Sequence, residues 1–182
     1  MNELANAAPP KRLLVIERLR ELLQTISHEN GYNVDIGRRV SLGVAEFGDN
    51  MVTPFLSILE SPTADIGDFA NAESARLEEW TLLLQGWIDS QFFYEGSDLD
   101  NPTRNAYYLA ADVEKCLARV TGINKKFGSP LDPAWYHLGG VINGMSIAPP
   151  VVRPPDTNSP KAWFYMPVRI EMSVNLNNPY TI

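Results

Sequence analysis

Cysteine, histidine and long apolar runs are scarce in this sequence. Its 182 residues include one cysteine, Cys116, and two histidines. A single cysteine cannot form an internal disulfide and has no neighbouring cysteine with which to hold zinc, so a reducing compartment is its simplest environment. The sequence has no run of about 18 apolar residues, and Met1–Pro10 lacks the basic-then-apolar order of a secretion signal. We therefore expect a soluble protein that stays where it is made.

Positive charge is also in short supply. The chain has 15 lysines and arginines against 22 aspartates and glutamates, which gives a formal charge of −7. This sign disfavours a protein that grips nucleic-acid phosphates through counterion release. Acidic residues concentrate between Glu60 and Asp100, where Arg76 is the only basic residue. One face of the protein should therefore be strongly negative.

The residue types that carry most catalysis and metal binding are scattered. His28 is expected in the last turn of a helix, and Cys116 falls on an apolar helix stripe, which disfavours an activated thiolate. His137 follows Tyr136 and has neither the other histidine nor the cysteine near it in the sequence. The paired carboxylates have no histidine or cysteine at the spacing of metal ligands. The glycine-rich run 139–144 lacks the lysine of a phosphate-binding loop. We expect no catalytic site, metal site or cofactor.

Two segments predict amphipathic helices. The first covers residues 11–28 and stops before Gly31. The second starts at Asn101-Pro102, because Asn101 can accept hydrogen bonds from exposed backbone donors and Pro102 is preset for a first turn, and it stops at Gly122. Their apolar stripes are Leu13, Ile16, Leu19, Leu22, Leu23 and Ile26 in the first helix and Ala106, Leu109, Val113, Cys116, Leu117 and Val120 in the second.

Four earlier segments predict strands. Val34–Val44 alternates in polarity, and Pro54–Glu60 reads as its partner in a hairpin or meander. Glu78–Ile88 is placed centrally in the sheet, because its three consecutive leucines suit a strand covered on both faces. Trp135–Ile147 predicts one more strand, loosened by glycines.

The clearest strand signal is Phe164–Leu176, whose apolar and polar residues alternate throughout. At about 3.3 Å per residue, this strand would reach roughly 40 Å. Pro167 lacks a backbone donor, which suggests that one end lies at a sheet edge. The pattern as a whole predicts a single α+β domain, with a mixed, mainly antiparallel sheet packed by two amphipathic helices.

Long loops complete the expected architecture. The stretch from Ser61 to Ala75 is polar, acidic and without clear period, as in a projecting loop. The prolines of Pro149–Pro160 force an extended, stiff connection, either a rigid arm or a long hairpin loop. We place projecting loops at residues 61–76 and 148–162 and a flexible N-terminus at residues 1–10.

Short aromatic and basic clusters are candidates for protein contacts. Phe92-Phe93-Tyr94 and Trp135-Tyr136 stand beside residues typical of turns, and either an interface or core packing accounts for them. The basic pairs Arg38-Arg39 and Lys125-Lys126 are too short and too separate for a nucleic-acid patch, but they could meet an acidic neighbour.

Four features in their order along the chain carry a family resemblance. They are the amphipathic opening helix, the strand pair around Asp35-Ile36-Gly37, the helix after Asn101-Pro102 with Ala106, Leu109, Ala111, Asp112 and Val113, and the alternating strand before Asn178-Pro179. In this pattern, from about Lys11 to Pro179, the chain resembles the tail terminator, or tail completion, proteins of long-tailed bacteriophages. The segments 61–75 and 149–160 are longer than in the smaller members.

The resemblance implies a virion protein without enzymatic activity. Such a protein forms a homo-oligomeric ring, with six subunits implied, that caps the tail tube, ends tail polymerisation and meets a neck or head completion protein. It is assembled in the host cytoplasm, needs no membrane, and lets DNA pass without specific binding. An acidic lumen would repel phosphates.

Specific residues follow from this interpretation. Candidates for the acidic lumen are Asp65, Asp68, Glu73 and Glu78. Candidates for subunit or partner contacts are Phe92, Phe93, Tyr94, Trp135, Tyr136, Pro154, Pro155, Arg169 and Glu171. Two other classes stay open: another connector, neck or tail tube protein of the same general build, and a small enzyme whose polar groups converge only in the fold.

Overall fold

The computed structural model describes residues 8–48, 51–60, 75–90, 101–156 and 161–180. Within these ranges a mixed, mostly antiparallel sheet of six strands packs against two substantial helices, which confirms the α+β prediction. The elements are α1 (Lys11–Leu23), β1 (Val40–Leu42), β2 (Phe55–Glu60), β3 (Ala75–Ile88), α2 (Arg104–Thr121), α3 (His137–Gly140), β4 (Gly144–Ile147), β5 (Val151–Arg153) and β6 (Ala162–Asn175).

Two long antiparallel strands form the centre of the sheet. The order is β1-β2-β3-β6-β4, and β5 pairs with β6 beyond the end of β4. β3 and β6 have 14 residues each and pair along their whole length, from Ala75 opposite Asn175 to Ile88 opposite Ala162. The central position predicted for Glu78–Ile88 and the long final strand are therefore confirmed. The expected cover on both faces of Glu78–Ile88 is wrong, because Leu82 and Leu84 are buried whereas Leu83 on the other face is only half-buried.

Side-chain parity on these two strands separates a covered face from an open one. On β6 the even-numbered residues Phe164, Met166, Val168, Ile170 and Met172 are fully buried in one core together with residues of α1 and α2. Burying such a side chain stabilises the fold by about 1.5–3 kcal/mol. The odd-numbered residues of β6 point to the other side.

The first helix is shorter than predicted. α1 ends at Leu23, and a short 3-10 turn at His28–Asn30 follows, with Gly31 in the left-handed region at φ +76. The hydroxyl of Thr25 donates to Leu22 O at 2.6 Å, a local bond that competes with continuation of the helix. The predicted stripe is buried from Leu19 onward, whereas Leu13 is 41% exposed and Val15 takes a place in the core.

The second helix agrees closely with the prediction. α2 starts at Arg104, and every residue of its predicted apolar stripe is buried. Asn101 does not cap the backbone as expected; its Oδ1 accepts from the hydroxyl of Thr103 at 3.0 Å. The helix ends before Gly122, where a Cβ would lie 2.7 Å from Ala118 O. The end at Gly122 is confirmed, and Gly122 has an extended backbone with φ −65 and ψ 128 rather than a left-handed one.

The predicted strand Val34–Val44 is mostly wrong. Its only strand residues are those of β1, and β1 pairs with β2 in parallel, so the predicted hairpin is wrong as well. The amide of Val34 donates to the carboxylate of Asp112 at 2.9 Å rather than to a strand. Val34 and Ile36 are apolar because they are buried in the core with residues of α1 and α2, although they lie outside the sheet.

The predicted strand Trp135–Ile147 is also wrong over most of its length. Its middle forms the short helix α3, in which Leu138 and Gly139 have positive φ values of 53 and 75. Left-handed backbone of this kind cannot continue a strand. Only β4, at the end of the segment, belongs to the sheet.

The predicted loops need new limits. Residues 75 and 76 belong to β3, and residues 61–74 lie outside the described residues. Within 148–162, β5 pairs with Trp163–Tyr165, and Ala162 already belongs to β6. Residues 151–153 therefore form a short edge strand, and their antiparallel pairing with β6 favours the predicted long hairpin loop over the rigid arm.

Pro167 does not mark a sheet edge at the end of β6, because β6 has a partner on each side. The carbonyl oxygen of Pro167 accepts from Ala148 N at 3.0 Å. The nitrogen of Pro167, which has no hydrogen to donate, points to the same side of the strand as this oxygen. On that side the edge is interrupted between β4 and β5 at Pro149 and Pro150. A missing donor is tolerated there because no strand residue lies opposite it.

Candidate interaction surface

The sheet has one face without a helix among the described residues, and we call it the open face. Its centre consists of the odd-numbered residues of β3 and β6, which are Glu79, Thr81, Leu83, Gln85 and Trp87 on β3 and Trp163, Tyr165, Pro167, Arg169, Glu171 and Ser173 on β6. Leu77 on β3 and Val151 on β5 are exposed large apolar residues on the same face. The face thus mixes apolar and charged groups, as protein contact surfaces do.

Exposed charges occupy the middle of the open face. Arg169 Nη1 lies 3.5 Å from Glu79 Oε2, and the two side chains are 58% and 60% exposed. An exposed pair of this kind contributes only about 0–1 kcal/mol, so both groups can pair with a partner at little cost. The candidate contact residues Arg169 and Glu171 therefore lie on one exposed face, as their parity predicted.

One end of the open face is covered by an aromatic cluster. Phe47, Phe55 and Trp87 lie with ring centroids 5.8 to 6.3 Å apart, and Trp163 packs against them. Beside the cluster is a cavity of about 380 Å³, which we call the aromatic cavity. It is lined by Ala45, Glu46, Phe47, Gln85, Trp87, Asp156 and Trp163.

The aromatic cavity combines apolar walls with polar groups. Glu46 and Asp156 are exposed carboxylate residues in its lining. Gln85 Oε1 and Trp163 Nε1 are buried and have no hydrogen-bond partner among the described residues. Buried polar atoms normally find a partner, so this region has hydrogen-bonding capacity that the described chain does not use.

The acidic-lumen candidates do not form a described cluster. Glu78 lies on the face that carries the helices, where its side chain is 9% exposed and pairs with Arg12 at 2.8 Å. The guanidinium of Arg12 also lies 5.2 Å from the ring centroid of Trp80. Asp65, Asp68 and Glu73 lie outside the described residues.

Of the aromatic contact candidates, Trp135 and Tyr136 are described, and Trp135 does not lie on the open face with Arg169 and Glu171. Trp135 is half-buried against the main core on the helix side, with the guanidinium of Arg119 5.7 Å from its ring. Tyr136 stacks on His137 with ring centroids 4.1 Å apart. Core packing thus accounts for Trp135.

The other contact candidates fall into two groups. Pro154 is exposed and Pro155 is half-buried, and both follow β5 directly before Asp156 of the aromatic cavity. Phe92, Phe93 and Tyr94 lie outside the described residues.

The one cysteine lies in a polar network between the helices. Arg119 donates to Asp132 Oδ2 and to Thr25 Oγ1, each at 2.8 Å, and Thr25 Oγ1 lies 3.9 Å from Cys116 Sγ. Burial raises the pKa of the Cys116 thiol, and it also raises the pKa of Tyr32. A raised pKa keeps the thiol protonated, so this network is suited to joining α1 and α2 rather than to nucleophilic chemistry.

The described ranges contain neither a cluster of metal-binding side chains nor a helix suited to crossing a membrane. There, no group of three or more histidine, cysteine, aspartate or glutamate residues could hold a metal ion. None of the helices in the same ranges is both long and apolar enough to cross a membrane.

No protein-family model matches the chain, and no curated protein matches it. Its function is therefore inferred from its own sequence pattern and surfaces.

Several surface residues were missed by the sequence patterns. Trp163 lies one residue before the predicted strand start, and extending the alternation back by one position places it on the open face. Trp87 was hidden because the three consecutive leucines of β3 obscure the alternation. No sequence pattern around Glu46 indicates a site, because the cavity that it lines is formed by residues distant from it in the sequence.

Proposed function

We propose that this chain is a structural subunit of a bacteriophage tail, of the tail terminator type. It forms a ring, with six subunits as the resemblance implies, at the junction of tail and neck. The ring caps the tail tube, ends its polymerisation and offers a surface to the neck or head completion protein. The role requires no catalysis, cofactor or membrane.

The open face is the observation that carries this proposal. Both long helices pack on one side of the sheet, which leaves the other side of β3, β5 and β6 to carry exposed leucine, valine, arginine and glutamate side chains. A ring subunit contacts two copies of itself as well as a tube and a neck, so it needs large surfaces outside its own core. An uncovered sheet face supplies such a surface.

The charge of the chain supports passage of DNA without binding. A formal charge of −7 repels phosphates, and the acid-rich segment from Glu60 to Asp100 is the proposed source of the lumen lining. The pairing of Glu78 with Arg12 gives that residue a structural role, so the proposal for the lumen concerns Asp65, Asp68 and Glu73.

Electron microscopy of particles made without this protein tests the proposal. Overlong tails would support a terminator, because tube polymerisation would lack its stop. Tailless full heads beside free tails of normal length would instead identify a joining protein of the neck, and complete absence of tubes would identify a tube component. Particles of normal form and infectivity would refute a structural role.

Charge reversal tests the lumen assignment. Changing Asp65, Asp68 and Glu73 to lysine should slow genome ejection while rings still assemble, because DNA would then be attracted to the wall. A matched control changes three exposed acids outside that segment to lysine, namely Glu21, Glu29 and Glu114. Equal ejection rates for the two triple variants would exclude these residues from the lumen.

A further inference from the structure

The loop that follows α2 is a compact hairpin with a basic and aromatic tip. Leu131 N donates to Gly122 O, Asn124 N donates to Ser129 O and Gly128 N donates to Asn124 O, each at 2.8 Å. These bonds close residues 122–131 into a fixed shape, which we call the basic hairpin. Its tip carries Lys125, Lys126 and Phe127.

The basic hairpin exposes three large apolar side chains within nine residues. Ile123, Phe127 and Leu131 are all exposed large apolar residues, and Phe127 is 71% exposed. Lys126 Nζ lies 5.2 Å from the ring centroid of Phe127, and Lys125 is exposed beside it. Grouped apolar exposure on an ordered loop is typical of a contact site. The two lysines indicate an acidic partner.

The aromatic cavity has the complementary properties. Its walls include Phe47, Trp87 and Trp163, and Glu46 and Asp156 place carboxylates in its lining. A cavity of about 150 Å³ is enough to hold benzene. At about 380 Å³, the aromatic cavity has room for a phenylalanine ring and part of its chain.

The basic hairpin and the aromatic cavity lie at opposite ends of the molecule. At its start, α2 lies against the end of β3, since Asn105 Nδ2 donates to Asp89 O at 2.9 Å and to Ser90 O at 2.7 Å. Trp87 of the cavity lies just before these residues. An 18-residue helix is about 27 Å long, so the hairpin at its other end is far from the cavity. The two also belong to opposite faces of the sheet.

We propose that the basic hairpin of one copy docks in the aromatic cavity of the next copy. Phe127 enters between the tryptophan side chains, and Lys125 and Lys126 face the carboxylates of Glu46 and Asp156. Because a single copy cannot fill its own cavity, the contact runs head to tail, and such contacts close into a ring when the rotation permits. This inference rests on the ring proposed above and names the contact that builds it.

Charge reversal with rescue tests the contact. The variant Lys125→Glu/Lys126→Glu should raise the concentration for half-assembly by about tenfold or more, since like charges then face each other. Glu46→Lys/Asp156→Lys should do the same, and the two sets combined should restore assembly. The control Arg18→Glu/Arg38→Glu makes the same charge change at exposed sites elsewhere and should assemble as the wild type does. Light scattering, with and without purified tail tubes, measures assembly.

Disulfide trapping gives an independent measurement. Lys126→Cys and Glu46→Cys in one chain keep the Phe127 ring and should form covalent ladders under oxidation, and each single variant should not. The longest band of the ladder would count the subunits of the ring. Thermal unfolding verifies that each variant folds, which is expected because residues 46 and 126 are exposed.

Two negative outcomes have different meanings. Rings that form normally in all charge variants and give no cross-linked ladder would overturn the docking inference and leave the ring intact. A wild-type chain that stays monomeric both alone and on tail tubes would overturn the ring and the docking inference together.

Discussion

Replacing Asp112 by alanine should destabilise the fold strongly, although this residue lies far from the proposed contacts. Asp112 is buried on α2, and its Oδ2 accepts from Asn33 N at 2.7 Å and from Val34 N at 2.9 Å. Its Oδ1 accepts from Asn33 Nδ2 at 2.9 Å. The carboxylate thus holds the chain that leads from α1 to β1 against the second helix.

The expected loss follows from the two main-chain donors. A hydrogen bond to a charged group contributes about 1.5–3 kcal/mol, and a buried donor left without a partner costs about 1–3 kcal/mol. Asn33 is exposed, so its side-chain amide can turn to water instead. Removal of the carboxylate also ends its own desolvation penalty, which favours the lower part of the range. We expect the free energy of unfolding to fall by roughly 3–4 kcal/mol.

Urea and thermal unfolding measure this loss. For a chain of this size, 1 kcal/mol shifts Tm by about 2–4 °C, so Asp112→Ala should unfold roughly 6–16 °C below the wild type. Asp112→Asn keeps one acceptor oxygen and should lie between the two. Glu114→Ala, at an exposed position on the same helix, should change stability by less than about 0.5 kcal/mol. If Asp112→Ala were as stable as Glu114→Ala, the role assigned to these hydrogen bonds would be wrong.

Three further predictions concern the core. Gly86→Ala should lower the free energy of unfolding by about 1–3 kcal/mol, because the new Cβ would overlap Phe164 and lie 2.8 Å from Leu56 Cδ2. The control Gly48→Ala has open space around it, so urea unfolding should show almost no change in its stability. Burial raises the pKa of Cys116, so its thiol should react slowly with an aromatic disulfide reagent at pH 8 until urea unfolds the chain; fast labelling of the native protein would contradict this. The pKa of the Cys116 thiol is higher in the folded chain than in the unfolded chain. The free energy of unfolding should therefore also fall as pH rises above about 8.5, and it should fall less in the variant Cys116→Ala.

Long periodic segments were predictable from the sequence because one burial direction dominates them. In β6, six consecutive even-numbered positions face the core, so their alternation survives in the sequence even with Pro167 in the strand. In α2, one helical stripe meets both the sheet and α1. Such patterns repeat often enough to be recognised even where single residues depart from them.

Short elements were not predictable, because contacts distant in sequence decide them. Val34 looks like a strand residue, but its amide is taken by Asp112 on α2. β5 follows two prolines, which argue locally for a loop, and it is a strand only because β6 offers a free edge there. The aromatic cavity was hidden for the same reason, since Glu46, Trp87 and Trp163 come from three separate segments.

The full-length pairing of β3 with β6 has a consequence for how the chain folds. The two strands form the centre of the sheet, yet residues 89–161 separate them in sequence. A contact of such long range must overcome the entropy of closing a large loop before it is stabilised, which slows folding. Until β6 arrives, the leucines of β3 lack their cover and can associate with other chains. Refolding yield should therefore fall steeply as protein concentration rises.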